Sequence, residues 1–79
     1  MIEKDYDADV IKILHPDSRE VLAVRRWNPF KANPGLGRTG GYIWSSSFPW
    51  VQEILDRYSS GSTIAALDEA IMEALRYAN

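Results

Sequence analysis

Gly41-Tyr42-Ile43-Trp44-Ser45-Ser46-Ser47-Phe48-Pro49-Trp50-Val51-Gln52-Glu53-Ile54-Leu55-Asp56-Arg57-Tyr58 changes its hydrophobic period halfway along. Up to Ser46 the chain reads as a strand, with Tyr42 and Trp44 on one side and Ile43 on the other. From Pro49 onward, Trp50, Val51, Ile54, Leu55 and Tyr58 recur at helical spacing, opposite Gln52, Glu53, Asp56 and Arg57. Proline suits the first position of a helix, because its missing N–H is one that no helical carbonyl would have met. Phe48 has no capping oxygen, so a nearby serine is expected to serve. Glu53 and Arg57 stand in the favourable i,i+4 order.

Toward the C-terminus, Ser59-Ser60-Gly61 ends this helix and Ser62 or Thr63 caps a second. Ile64, Leu67, Ile71, Ala74, Leu75 and Ala78 share a face of it. Asp68 and Glu69 lie early and Arg76 late, which complements the helix dipole. Toward the N-terminus, Val10-Ile11-Lys12-Ile13-Leu14 and Val21-Leu22-Ala23-Val24 are two β-rich runs. His15-Pro16-Asp17-Ser18 between them is turn chemistry. An antiparallel hairpin follows, with Ile11, Ile13, Leu22 and Val24 expected to face inward. Residues 1–7 read as a loose acidic arm. The expected fold is α+β: a three-stranded antiparallel sheet followed by two C-terminal helices packed on one face, with Ile54, Leu55, Leu67, Ile71 and Leu75 against it.

Between the second and third strands lies the stretch that sets this chain apart. Residues 25–44 hold four of its nine basic residues, two of three tryptophans, two of four prolines and four of five glycines. Two Asn-Pro steps keep Asn28 and Asn33 out of helical geometry. Residues 28–40 therefore read as a long Pro/Gly connection. Connections of that length in compact domains are usually put to use.

The 79 residues form one small domain, near the size at which a single core becomes marginal. A 46% apolar fraction with its aromatic residues argues against disorder. With no cysteine, disulfides and thiolate metal sites are excluded. No apolar run reaches the roughly 18 residues of a membrane span, and the N-terminus has no hydrophobic signal core. A cytoplasmic location and no membrane partner are expected. Net charge is −2, but it is unevenly spread: −3 over residues 1–18, +4 over 19–38 and −3 over 39–79. A basic middle between acidic ends can set up a local positive field.

Candidate chemistry is sparse. Gly35-Leu36-Gly37-Arg38-Thr39-Gly40 matches G-x-G-x-x-G but runs into a strand, whereas a dinucleotide site needs a helix there. His15 is the only histidine and has no nucleophile–acid pair placed with it. Asp5, Asp7 and Asp9 alternate but lack the glycine and distal glutamate of a calcium loop. Asp68, Glu69 and Glu73 read as a solubilising helix face. No catalytic residue, cofactor or metal is expected. What remains is a set of arginines among aromatic residues. Arg25, Arg26, Trp27, Phe30, Lys31 and Arg38, beside Tyr42 and Trp44, read as a partner-binding surface. Arginine forks grip carboxylate or phosphate, and aromatic rings fill pockets or stack on bases.

In order and size, the layout resembles small phage-encoded anti-CRISPR proteins, in particular a type I-F inhibitor family built from an antiparallel sheet and two helices. The residues concerned are the Val10–Val24 hairpin, the Gly41–Ser46 strand, the first helix, the Ser59-Ser60-Gly61-Ser62 break and the acid-bearing last helix. A fainter similarity, to HicB-type antitoxins, rests on Gly41-Tyr42-Ile43 with Phe48-Pro49, and on Gly61-Ser62-Thr63 with Asp68-Glu69-Ala70. The first resemblance implies a non-enzymatic inhibitor or regulator of a protein or protein–nucleic acid complex. The alternative is a small nucleic-acid-binding module that uses residues 25–44 directly.

Overall fold

The hairpin expected around His15 is present and forms the centre of the sheet. A computed structural model describes residues 1–33, 38–58 and 63–77, with the side chains of residues 31–33, 38 and 39 outside the description. Strands β1 (Ile2–Asp5), β2 (Val10–Leu14), β3 (Val21–Asn33) and β4 (Arg38–Ser45) pair antiparallel in the order β1-β2-β3-β4. Helices α1 (Pro49–Tyr58) and α2 (Ile64–Tyr77) follow. The α+β class and the two C-terminal helices are as expected. The sheet, however, has four strands rather than three.

The additional strand is β1, within the segment expected to be a loose arm. Ile2 pairs with Ile13 and Asp5 with Val10. Three consecutive charges, Glu3, Lys4 and Asp5, hide it from a hydrophobic pattern, yet short charged strands are a usual way to end a sheet. Asp5 accepts a hydrogen bond from the Ala8 N–H, and Asp9 takes a positive φ of 53°, so the turn into β2 closes without glycine. The Met1 amino group donates to the Leu14 carbonyl and to Asp68 of α2, each at 2.9 Å. This ties the start of β1 to a helix.

The β2–β3 turn is organised by its histidine. His15 Nδ1 accepts from the N–H groups of Asp17 and Ser18, and Arg19, at φ 64°, donates its N–H to the His15 carbonyl. Beyond the turn, Ile13 faces Ala23 but Leu14 faces Val21, so β3 carries an extra residue at Leu22. A bulge of this kind bends the strand. Its result is that Leu22 and Ala23 are both buried. Val24, expected to face inward, pairs with Lys12 and is only half-buried; Ala23 takes the core position instead.

Ile13, Leu22 and Ala23 meet Val51 and Leu55 of α1 and Leu67 and Ile71 of α2 in one cluster. Ile54, Leu75 and Trp44 pack at its margin. Ser46 links sheet to helix: its hydroxyl donates to the Leu22 carbonyl at 2.6 Å and accepts from the Phe48 N–H at 3.0 Å. Thr63 is the cap of α2, accepting from the Ala66 N–H at 3.0 Å. Ile71 is fully buried between sheet and helices. Replacing Ile71→Ala should therefore lower stability by about 2–5 kcal/mol, read from the urea midpoint at unchanged slope.

Candidate binding surface

β3 is 13 residues long and outruns the strand beside it. β2 accompanies β3 only as far as the Val10–Arg26 pair. From Trp27 onward, among the described residues, β3 pairs with β4 alone. The segment expected as a long connection is thus largely a two-stranded ribbon, with Trp27 opposite Tyr42, Asn28 opposite Gly41, Ala32 opposite Thr39 and Asn33 opposite Arg38. Residues 34–37 lie outside the described part.

The sequence signals that suggested a loop are absorbed by an irregularity in β3. Between the Asn28–Gly41 and Ala32–Thr39 pairs, Pro29, Phe30 and Lys31 stand against Gly40 alone. Proline belongs at such a bulge because it has no N–H to give to the ladder. Asn28 Oδ1 accepts from the Phe30 N–H at 2.8 Å, closing the local turn. Gly40 is buried and has φ +100°. A Cβ placed on it would sit 2.6 Å from Cζ2 of Trp27 and 3.2 Å from Cη2. The indole therefore rests directly on the glycine backbone, which no other residue would allow.

Register places Arg25, Trp27, Tyr42 and Trp44 on the same face as the core, since Arg25 pairs with Trp44 and Trp27 with Tyr42. Trp44 reaches the helices, whereas the outer members pack on one another. Trp27 and Tyr42 meet edge to face at 5.1 Å and 77°. The Arg25 guanidinium lies 4.0 Å from the centre of the Tyr42 ring. The Tyr42 hydroxyl donates to Asp9, with oxygens at 3.1 and 3.2 Å. Trp27 keeps 50% of its surface in solvent and Phe30 keeps 88%. Large apolar side chains left in solvent make this face a candidate contact surface.

The residues expected to form one basic surface are divided. Arg25 and Trp27 share the helix-side face. Arg26 is exposed on the opposite face, where it pairs with Val10 and Ile43. Phe30 projects from the bulge. Lys31 and Arg38 fall in β3 and β4, and their side chains lie outside the described ones. Sequence reading missed Asp9 and Gly40 as parts of this surface. Gly40 was legible only as a turn former, and Asp9 joins through a pairing that no local pattern encodes.

Among the described residues, no group of three metal-ligating side chains occurs, and no helix is long and apolar enough to cross a membrane. No family model, curated protein or solved structure matches the chain.

The glycine at position 40 is the most demanding residue of the ribbon. Gly40→Ala should destabilise by about 1–3 kcal/mol through its positive φ alone. It should also lift the indole, giving a red shift in tryptophan emission absent from Gly41→Ala.

Proposed function

We propose that this is a non-enzymatic protein that acts by occupying a surface of a macromolecular partner, with the β3–β4 ribbon as the contact element. The observation that carries this reading is the uncovered aromatic group: Trp27 and Phe30 stay exposed while Tyr42 and Gly40 hold Trp27 in place. Interfaces draw most of their energy from a few such anchors, and a ring already fixed loses little freedom on binding. The engagement of His15 in its turn, and of Asp5 and Asp9 with nearby donors, supports a binding role over catalysis. By its resemblance in layout, the protein is an inhibitor or regulator of a protein or protein–nucleic acid complex, of the anti-defence kind carried by phages and mobile elements.

Direct nucleic-acid binding is the less favoured reading. A phosphate track needs cations in a row, and Arg25 and Arg26 lie on opposite faces. Asp9, which accepts from the hydroxyl of the tyrosine on which Arg25 packs, adds negative charge nearby.

The test is Phe30→Ala measured against Arg26→Glu. Both positions are exposed, so each should change stability by no more than about 0.5 kcal/mol. Loss of Phe30 should weaken partner binding by about 2 kcal/mol or more if it is an anchor. Generic DNA and RNA should bind weakly to either variant and to wild type. Tight wild-type binding to generic duplex, with log affinity falling by about 0.9 per phosphate contact against log salt, would favour the nucleic-acid module instead.

A further inference from the structure

Lys4, Ile11 and Arg25 are in register across β1, β2 and β3. Two cations thus stand on the helix-side face about 10 Å apart at the backbone, with Ile11 between them. Neither the Lys4 ammonium nor the Arg25 guanidinium has an ion-pair or hydrogen-bond partner among the described residues. Arg25 Nε is shielded from solvent and has no acceptor among the described residues, so the guanidinium meets the cavity through its two terminal nitrogens. A cavity of about 280 Å³ opens here, with Ile11 as its apolar floor and Ile64, the first residue of α2, beside it. The N-terminus of that helix adds a partial positive charge.

We infer that this cavity takes the carboxylate of an acidic side chain, glutamate-like in having an apolar stem. The carboxylate pairs with the Arg25 fork and is approached by Lys4, while the stem lies on Ile11 and Ile64. That the side chain comes from a protein partner rests on the binding role proposed above; the cavity and its chemistry do not. Asp5 and Asp9 also line the site. Each already has a donor, the Ala8 N–H for Asp5 and the Tyr42 hydroxyl for Asp9. Their charges still oppose an anion. A small, fully hydrated ion gains too little here to overcome them, whereas a carboxylate with an alkyl stem also gains apolar contact.

Butyrate and inorganic phosphate, titrated separately into the free full-length chain, test the assignment. The readouts are the arginine Nε–H signals and the Ile11 and Ile64 methyl signals in NMR spectra. Butyrate should give a saturable shift at Arg25 Nε–H and both isoleucines, with Arg26 and Arg57 unmoved, and phosphate should do less. Arg25→Gln should abolish the isoleucine shifts, and Lys4→Gln should weaken butyrate several-fold. Asp9→Asn, which still accepts from Tyr42, should tighten it. Phosphate acting as strongly as butyrate would overturn the carboxylate assignment in favour of a general anion site. Equal, unsaturating shifts at Arg25, Arg26 and Arg57 would overturn the site altogether. Because no partner is present, either failure is distinguishable from failure of the binding role, which the Phe30 and Arg26 variants test.

Discussion

The seating of the Trp27 indole on the backbone of Gly40 is the contact on which the outer half of this molecule depends. A two-stranded ribbon standing alone in water is marginal at best. The helices pack over Ile13, Leu22 and Ala23 and so support the inner part of the sheet. Among the described residues, the ribbon beyond Arg26 has neither β2 beside it nor a core cluster above it. Its order comes from a side-chain stack of its own, running from Gly40 through Trp27 and Tyr42 to Asp9 and Arg25. The positive φ of Gly40 and the absence of a Cβ there are two conditions of one contact.

That arrangement gives the sheet two different uses along one face. Near the helices, Trp44 is at the margin of a conventional core. Two residues further back along β4, Tyr42 braces a surface left in solvent. The same strands therefore deliver stability at one end and an aromatic platform at the other. Arg25 stands at the boundary, packed on Tyr42 yet without a hydrogen-bond acceptor among the described residues.

Both helices were legible in the sequence because their apolar residues keep one period over ten residues or more, and the Thr63 and Pro49 starts follow from capping chemistry. The β2–β3 hairpin was legible from its turn. Its inner face was only partly so, because the bulge at Leu22 shifts the alternation and exchanges Ala23 for Val24. β1 was illegible, since a charged edge strand has the composition of a loose arm. The ribbon is hidden in the sequence for a related reason. Asn28-Pro29 and Gly40-Gly41 carry the local signature of a loop, and only long-range pairing shows that a proline bulge and a buried glycine can lie opposite each other in strands. Of the surface residues, Trp27 and Phe30 were identified by type alone. The separation of Arg25 from Arg26 required the register.

The claim that the free protein presents a braced, ordered aromatic ribbon is tested most directly by the Gly40 Hα resonances. With the indole of Trp27 packed on this glycine, ring current should move at least one Hα strongly upfield, and nuclear Overhauser contacts should join it to the Trp27 Hζ2 and Hη2 protons. Random-coil Gly40 shifts with no contact to Trp27 would contradict the account, leaving the ribbon without its brace and the platform without a fixed shape.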